Sequence, residues 1–528
     1  MQLSHTPAAI GAAFDDPNLI ASAGLVPLIA LAEAAGLLDL VSAHVSVPTD
    51  KGANADLKTM SLIAGMCAGA DSIQDMSILR HGAMGKAFDY CYAPSTLGSF
   101  LRQFTFGHVR QFDAVASRFL AALAEQTPLL AGIDDLALVD LDDTIVEVHG
   151  HGKQGASFGY TGVRGLNASA ATVTAPGGAP VIVATRLRKG SANSAKGAER
   201  IVADALGTVR RLRSAGATGM VLLRADSAYY GRPTVLAAVK AGAKVSVTVR
   251  QNTLVQRAIE SIPAGAWTTI EYPNAIRDED TGVWVSRAEV AEIPFTAFAS
   301  AKASQHVPGR LVARRIPDSG PPAGPDQASL FAVWRFHAFF TTVPADVMDT
   351  VAADKTHRGH AIIEQGFADL KGSALAHLPS GKFNANAAWL VLAVIAFNAR
   401  PSRRDHRRRQ PCQGHDRHDP PAHHQHPRKD RDLRTAHHHP PADRVAVAGT
   451  LAGDLRCDAR TTTSRNHLTR RRTPGPTRHP VEHPGRTVIR NTATPPTEPE
   501  PETTIRAATP YSSVHSGLTN LGDFTSLE

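Results

Sequence analysis

The sequence predicts an α/β protein: a mixed α/β core with an inserted β-rich segment, a helical region before it and a disordered tail after it. Three observations lead to this prediction. Near residue 136 the apolar residues change from helical spacing to alternation, and strands then alternate with helices. Between residues 251 and 345, four strand-like runs are separated by Gly, Pro and Asp clusters. After residue 399, large apolar residues nearly disappear.

Residues 1–130 are predicted to form several short helices. Apolar residues recur three and four positions apart, and short polar breaks at residues 48–52 and 92–96 separate the helical stretches. We take this region as the candidate DNA-binding region, although the same pattern suits almost any all-α domain.

The most apolar stretch, residues 19–40, is long enough to raise the question of a membrane span. It contains Pro27, Glu33 and Asp39, and its large residues recur at helical spacing. Both features favour a buried helix of a soluble protein with no membrane partner. The N-terminus has no basic segment followed by an apolar core, so no secretory signal is expected. Four cysteines without any C-x-x-C spacing argue against a disulfide-stapled secreted scaffold and favour a reducing, cytosolic compartment.

Residues 131–250 form the first part of the predicted core. The run at 219–224 is almost wholly apolar, as is typical of a central buried strand. The predicted elements are strands at 136–148, 171–173 and 180–184, a helix at 198–213, a strand at 219–224, a helix at 232–241 and a strand at 244–250.

The β-rich insertion, residues 251–345, is predicted to lie between two pieces of one α/β domain. Its strands are expected at 266–272, 283–293, 310–316 and 331–343. Residues 346–399 then return to the core with two helices, at 358–371 and 384–397, the second strongly apolar.

The net charge of +8 comes entirely from the end of the chain. Residues 1–399 contain 34 basic and 34 acidic side chains, whereas residues 400–528 contain 22 basic and 14 acidic ones. The same final segment holds 13 of the 24 His and 16 of the 35 Pro residues. The sequence therefore describes a neutral globular body followed by a basic His/Pro-rich tail, which cannot bury enough apolar surface to fold.

Three acidic positions lie at the edges of the predicted core. Asp140 and Asp142 are two apart on an alternating strand and face the same side, with Asp143 opposite. Asp226 closes the apolar run, at the carboxyl end of a strand, where active sites of α/β sheets gather. Glu364 lies on the helix that follows the β-rich insertion. A lone acid in such a place usually caps an element or pairs with Arg, but three together favour a site for a hard cation.

Magnesium prefers oxygen ligands and often binds through one or two carboxylates together with phosphate oxygens. Two such ions about 3.5–4 Å apart would hold the attacking and leaving oxygens of a phosphoryl displacement. Basic residues near the acids are candidates for gripping DNA phosphates, although ordinary surface charge is the alternative. They are Arg186, Arg188 and Lys189 in a Gly- and Ser-flanked loop, and Arg358 and Lys371 on the Glu364 helix.

Several motifs resemble those of the DDE transposases of bacterial insertion sequences, in the cut-and-paste branch with a β-rich insertion before the last Glu. The resemblance covers residues 15 to 398. Its motifs are LDDT at 141–144, RADSAYY at 224–230 and HRGHAIIEQGFADLK at 357–371, with GKQGASFGYTGVRG at 152–165, AHLPSG at 376–381 and PSTLG at 94–98.

The resemblance implies an RNase H-like catalytic core and a metal-binding catalytic triad of Asp142, Asp226 and Glu364. It also implies two Mg²⁺ ions, with Mn²⁺ as a substitute, and double-stranded DNA as partner, both terminal inverted repeats and target. A homodimer in the DNA complex and a bacterial cytoplasmic, nucleoid-associated location follow in the same way.

The last motif departs from the family pattern in two places. Lys371 fits, but the Arg expected four residues before Glu364 is replaced by His360, with Arg358 as the nearest substitute. The motif also has a Tyr, but this chain has no tyrosine at the corresponding place near His357. Family members also use an aromatic residue to stabilise a flipped base, for which Trp267 and Trp334 are candidates, unless they belong to the core of the insertion.

The tail leaves the function open between two classes. A basic arm would add phosphate affinity, but the abrupt switch after Asn398 favours a frameshift in GC-rich coding DNA. An active transposase is therefore the first hypothesis, and an impaired, truncated or frameshifted copy that only binds DNA is the second. A housekeeping nuclease with an RNase H-like core is a third.

Overall fold

A computed structural model describes residues 18, 20–89, 91–277, 284–317 and 334–400. Within these ranges one mixed sheet of ten strands forms the framework. The strands are β1 (Leu136–Glu147), β2 (Ser157–Phe158), β3 (Arg164–Thr174), β4 (Val181–Lys189), β5 (Met220–Ala225), β6 (Lys244–Thr248), β7 (Thr268–Arg277), β8 (Trp284–Ala297), β9 (Val307–Pro317) and β10 (Trp334–Thr341).

The centre of the sheet changes from antiparallel to parallel at β1. On one side β1 pairs antiparallel with β3, which pairs antiparallel with both β2 and β4. On the other side β1 pairs parallel with β5, and β5 pairs parallel with β6. Parallel neighbours need crossover connections, and the helices Ala198–Leu212 and Arg232–Lys240 occupy the two crossovers. The carboxyl ends of β1 and β5 therefore lie at the same edge.

The strands of the predicted β-rich insertion are present, but they extend this sheet instead of forming a layer of their own. β10 pairs antiparallel with β6, as in Phe339↔Thr248, and β9, β8 and β7 follow outward in that order. Without β10, the parallel strand β6 would be an edge with unpaired backbone groups. The pairing thus attaches the strands from β7 to β10 to the parallel part of the sheet.

Twelve α-helices surround the sheet within the described ranges. They are α1 (Leu25–Ala34), α2 (Leu37–His44), α3 (Ala55–Cys67), α4 (Met84–Ala87), α5 (Pro94–Leu101), α6 (Phe106–Gln126), α7 (Ala198–Leu212), α8 (Arg232–Lys240), α9 (Thr253–Glu260), α10 (Thr350–Arg358), α11 (Ile362–Lys371) and α12 (Phe383–Ala399).

Helix α12 is the centre of one of two large apolar cores. Of its 17 residues 14 are buried, as expected of a helix that is hydrophobic all round. Its neighbours in this core are α2, α3, α5 and α6 together with side chains of β3 and β4. The N-terminal helices therefore pack directly on the sheet. The second core lies around α7, α8 and α9, against strands β1, β5 and β6 and the added strands.

Two predicted helices are interrupted. The apolar stretch at 19–40 contains α1 and α2, bent by 54° at a break where Gly36 has a φ of 72°. No single helix in the described part of the chain is long and apolar enough to cross a membrane, although this bent pair passes that test together. The helix predicted at 358–371 is also divided, because a 3-10 turn at Gly359–Ala361 separates α10 from α11.

Strand β3 is longer than the sequence predicted. Only residues 171–173 were expected to be extended, whereas the strand begins at Arg164. Its first half is rich in Gly, Asn, Ala and Ser, which carry no β-branched signal, yet these residues are buried between β1 and β4. The predictions for the tail, including disorder and a frameshift after Asn398, concern residues outside the described ranges.

Candidate active site

Strand register brings two of the predicted carboxylates side by side. In the parallel pair of β1 and β5, Leu141 lies opposite Ala225. Asp142 and Asp226 are the next residues of their strands, so they lie at adjacent positions of the same sheet edge. Asp226 directly follows β5 and caps the 3-10 turn Ser227–Tyr229, where its Oδ1 accepts a hydrogen bond from the N–H of Ala228 at 3.0 Å.

Glu364 reaches the same edge from the first turn of α11, which packs on β1. Burial, together with the nearby carboxylates of Asp226, Asp143 and Glu364, raises the pKa of Asp142 to about 7. The N–H of Asp143, which donates to Asp142 Oδ1 at 2.7 Å, opposes this rise. The rise includes contributions from Asp226 and Glu364, so both of the other predicted carboxylates act on Asp142.

Asp226 is in a similar environment. Burial raises the pKa of its carboxyl, the charge of Asp143 adds to the rise, and the N–H of Ala228 and the ring of His360 oppose it. A cluster of partly buried acids with little compensating positive charge favours protons or cations.

Asp140, the other acid on the same side of β1, is kept out of this cluster. Both of its oxygens are paired with Arg224 on β5, at 2.7 Å from Nε and 2.7 Å from Nη2, and both residues are buried. The third guanidinium nitrogen of Arg224 donates to the carbonyl of Thr356 at 2.6 Å. This arginine therefore ties β1 and β5 to α10, the helix that precedes the one carrying Glu364.

The break between α10 and α11 makes room for that arginine. A Cβ on Gly359 would lie 2.8 Å from Nη1 of Arg224, closer than real Cβ contacts. A glycine at this position therefore lets the chain pass over the guanidinium and turn into α11. The sequence contained a signal for this arrangement, because Arg224 is a lone cation in a buried apolar strand, but its partner could not be read from the sequence.

Asp143 faces the other side of β1 and is a structural acid. It accepts from Nδ2 of Asn167 at 3.0 Å and from Oγ of Ser194 at 3.2 Å, and it contacts Arg188. Next to it, Tyr229 is fully buried. Burial and the charges of Asp143 and Asp142 raise the pKa of the Tyr229 hydroxyl far above its ordinary value, so it stays protonated.

The two histidines of the last motif differ in their surroundings. His357 is buried and stacked on Phe339 at 4.1 Å, with its ring nitrogens 2.9 Å from Ser246 Oγ and 3.0 Å from Thr248 Oγ1. Burial lowers its pKa well below the ordinary value, so it is a neutral packing residue. His360 donates from Nδ1 to the carbonyl of His357 at 2.8 Å, and its charge acts on Asp140 and Asp226.

The donor set has the chemistry of a magnesium site, since its members are carboxylate oxygens. Within the described ranges, no three His, Cys, Asp or Glu side chains are close enough together to form a metal centre. The residues that could hold a cation are Asp142, Asp226 and Glu364, whose mutual repulsion a cation would relieve.

The family described as "transposase DDE domain group 1" matches residues 5–402, which are 398 of the 528 residues. The chain belongs to this family of DDE transposases. A search of curated proteins found no match. The match confirms the resemblance drawn from the motifs, and it spans the sheet and every helix described above.

The predicted phosphate-gripping residues of the transposase fall into two groups. Arg186 and Arg188 are committed to internal partners. Arg186 pairs with Asp204 at 2.7 Å and with Asp113 at 3.5 Å, which links β4 to α7 and α6. Arg188 contacts Asp143 and donates to the carbonyls of Asn193, Ser194 and Lys196, so it organises the loop after β4.

The remaining three are nearer to solvent. Lys189 is exposed at the end of β4, and Arg358 is half-buried with its Nε 2.9 Å from Asp354. Lys371, at the end of α11, lines a groove with Thr144 and Ile145 of β1, and burial lowers its pKa. Of the predicted basic residues, Lys371 therefore lies on the helix of Glu364 and faces a groove shared with the strand of Asp142.

The two tryptophans considered for base stacking enclose an arginine instead. The guanidinium of Arg315 lies 4.3 Å from the ring centre of Trp267 and 4.4 Å from that of Trp334. Arg315 is also paired with Glu289 at 2.5 Å. Both rings thus take part in the packing of the added strands, the alternative that the sequence left open.

Proposed function

We propose that this transposase binds the terminal inverted repeats of its insertion sequence and catalyses strand cleavage and strand transfer by two-metal phosphoryl transfer. One observation carries the proposal. Asp142 and Asp226 lie at adjacent positions just beyond Leu141 and Ala225, the last parallel pair of β1 and β5, and Glu364 acts electrostatically on Asp142 from a helix packed on β1. In our proposal these three residues are the catalytic and metal-binding triad.

The strand order supports an RNase H-like core with the insertion placed before the last Glu. Three antiparallel strands, β4, β3 and β1, are followed by the parallel strands β5 and β6, and β7 to β10 come between β6 and Glu364 in the chain. We propose residues 131–250 and 346–399 as this core, 251–345 as the insertion and 1–130 as a DNA-binding region.

The triad would hold two Mg²⁺ ions, for which Mn²⁺ may be exchanged. Divalent ions bound there would supply a Lewis acid for the scissile phosphate and lower the pKa of the attacking water or 3′-hydroxyl. The chain itself positions the carboxylates: β1 and β5 fix Asp142 and Asp226, and the bond from Arg224 to the carbonyl of Thr356 anchors the helix before Glu364. Lys371 and Lys189 would contact the phosphates on either side, with Arg358 further along α10.

The proposed partners are the two repeat ends and the target DNA, brought together by a homodimer, in the cytoplasm of a bacterium near its nucleoid. Paired ends require two active sites, which is the reason to expect a dimer on DNA. The basic tail and the helical region would add affinity that depends on salt.

Cleavage of the flanking DNA tests the proposal. The full chain is incubated with labelled duplexes taken from both sides of its gene, with Mg²⁺, Mn²⁺ or EDTA. We expect nicking at the repeat end that requires the divalent ion and is lost in Asp226→Asn, while DNA binding is retained. Equal cutting by Asp226→Asn would show that the triad is wrongly assigned. Binding without cleavage by the natural chain would favour the impaired-copy alternative.

A further inference from the structure

A cavity of about 240 Å³ lies between α6, α7, β4 and α12, elements that carry none of the three proposed catalytic carboxylates. Helix α6 belongs to the N-terminal helical region, β4 and α7 to the first part of the core, and α12 to its final helices. Helix α6 contacts α7 and α12, and β4 contacts all three helices. The cavity therefore lies where the N-terminal helices meet the sheet, and its volume is far above that needed for a single water.

The acids that line the cavity are already paired. Nη1 of Arg110 lies 2.8 Å from Asp113 and 2.9 Å from Asp204. Arg186 approaches the same two acids, at 3.5 Å from Asp113 and 2.7 Å from Asp204. Because two carboxylates are matched by two arginines here, any further cation in the lining is an excess positive charge.

Arg118 and Arg211 supply this excess charge from two different helices. Arg118, half-buried on α6, donates to the carbonyl of Ala114 at 3.1 Å, and Arg211, exposed on α7, donates to that of Gly207 at 3.2 Å. Neither guanidinium forms an ion pair with any residue that the structure describes. A guanidinium has five N–H donors, so both side chains keep most of their hydrogen-bonding capacity for a ligand.

Two hydroxyl groups accompany these arginines in the lining. Nη1 of Arg211 lies 3.4 Å from Oγ of Ser117, which lies 2.8 Å from Oγ1 of Thr208. Thr208 donates in turn to the carbonyl of Asp204 at 3.1 Å, so its proton is committed. Ser117 directly precedes Arg118 and has a hydroxyl proton that can rotate. The lining therefore offers an anion a third donor beside the two guanidinium groups.

The part of the lining that comes from β4 and α12 is apolar. Ile182, Val391 and Val394 line the cavity, and all three side chains are buried. Sites for small molecules typically combine an apolar lining with a few polar groups that fix the ligand's orientation. An inorganic ion would use the arginines alone, whereas an anion with a small apolar group would contact both kinds of surface.

We propose that this cavity binds a small phosphomonoester. Arg118, Arg211 and the hydroxyl of Ser117 hold its phosphate group, because the planar fork of arginine matches pairs of phosphate oxygens. Val391 and Val394 contact its organic part. The ligand is a free small molecule and not the DNA backbone, since the cavity is formed by elements other than those of the proposed triad. By bridging α6 and α7, it fastens the N-terminal helices to the core, a role that goes beyond strand cleavage and transfer.

Titration calorimetry of the full chain at constant ionic strength tests the site. The probes are phenyl phosphate, inorganic phosphate and a short DNA duplex of random sequence. The variants are Arg118→Gln, Arg211→Gln and both together. Arg210→Gln is the matched control, because Arg210 is the exposed neighbour of Arg211 on α7 and is not among the residues that line the cavity. Melting temperatures with and without each phosphate accompany the titrations.

We expect the natural chain to bind phenyl phosphate saturably, more tightly than inorganic phosphate, and to melt at a higher temperature in its presence. Each single variant should bind it about tenfold more weakly, because charge-assisted hydrogen bonds are lost, and the double variant should not bind it. All variants should keep the melting temperature of the ligand-free natural chain and its affinity for the duplex. Arg210→Gln should match the natural chain with every probe.

Three results would overturn the site. They are the absence of saturable binding by the natural chain, unchanged binding in both single variants, and an equal loss in Arg210→Gln. Equal affinities for phenyl phosphate and inorganic phosphate would contradict the role of Val391 and Val394. A loss of duplex affinity in the Arg118 and Arg211 variants would show that these arginines serve the DNA backbone, contrary to the proposal. Strand cleavage enters none of these measurements, so the site and the proposed triad are tested separately.

Discussion

Arg186 and Lys189 lie three residues apart on β4 and have different surroundings. The guanidinium of Arg186 is paired with Asp204 and Asp113, carboxylates of two helices, whereas Lys189 is exposed at the strand end. A paired arginine contributes to stability, and an exposed lysine is available to a phosphate. Two basic residues of one predicted loop are therefore expected to have separate roles.

Alanine substitutions separate these roles. Arg186→Ala should lower the melting temperature, because Asp113 and Asp204 lose one of their two arginine partners and keep only Arg110, at a cost of about 1–3 kcal/mol. DNA affinity should stay the same. Lys189→Ala should leave the melting temperature unchanged, weaken DNA binding, and reduce the salt dependence of the affinity by about one charge. Thermal melting and DNA titration at several salt concentrations measure both. The reverse pattern would mean that Arg186 is the DNA contact.

Asp113 is an acid whose surroundings favour its protonated form. Its Oδ2 lies 2.8 Å from Nη1 of Arg110, but burial, aided by the charge of Asp204, raises its pKa from 3.8 to about 6. The pKa in the folded chain thus lies above the unfolded one. The group's contribution to stability is fully present below pH 3.8, falls as the pH rises towards 6, and is absent above that.

Asp113→Asn removes this dependence, since the amide cannot ionise. The variant should gain stability relative to the natural chain between pH 4 and pH 6.5, by on the order of 2–3 kcal/mol, and the difference should then level off. Melting temperatures of both chains across this range give the result. A difference that is constant with pH would show that the pKa of Asp113 is not raised.

At the scale of secondary-structure elements, one buried arginine joins three of them. Arg224 on β5 pairs with Asp140 on β1 and donates to the last turn of α10. Asp140 is two residues before Asp142, and Arg224 is two residues before Asp226. A shift in this pair would move both strand ends and the start of α11 together, so the pair determines the relative placement of the three carboxylates.

A double-mutant cycle measures the coupling within that pair. Arg224→Met or Asp140→Leu alone should each cost about 3–5 kcal/mol, because each leaves a buried charge without its partner. The double variant should cost much less than the sum, since it leaves neither charge. Denaturant unfolding of the four chains provides the numbers. Additive losses would mean that the two residues are not coupled.

At the scale of the whole molecule, the sequence predicted the elements better than their connections. Alternation and helical spacing located β1, β5, α7 and α12 to within a few residues. The small residues of β3 hid half of that strand, and no local pattern showed that β10 would pair with β6. Pairing between distant segments depends on register and packing in the complete fold, which a single sequence does not display.

For the candidate site too, the sequence predicted the residues better than their partners. Its carboxylates could be predicted because acids at strand ends, followed by the motif around Glu364, are a local pattern. The partners could not: Asp140 and Arg224 are 84 residues apart, and Arg186 is paired across β4 with two helices.

The central proposal is that Asp142, Asp226 and Glu364 bind metal together, and iron-directed cleavage tests this directly. Fe²⁺ replaces Mg²⁺ in the full chain bound to DNA from the ends of its element, and ascorbate with peroxide then generates radicals that cut the polypeptide beside the metal. We predict cuts next to residues 142, 226 and 364, suppressed by excess Mg²⁺ and by Asp226→Asn. Cuts confined to other parts of the chain, or cuts unchanged in Asp226→Asn, would contradict joint metal binding by the three carboxylates.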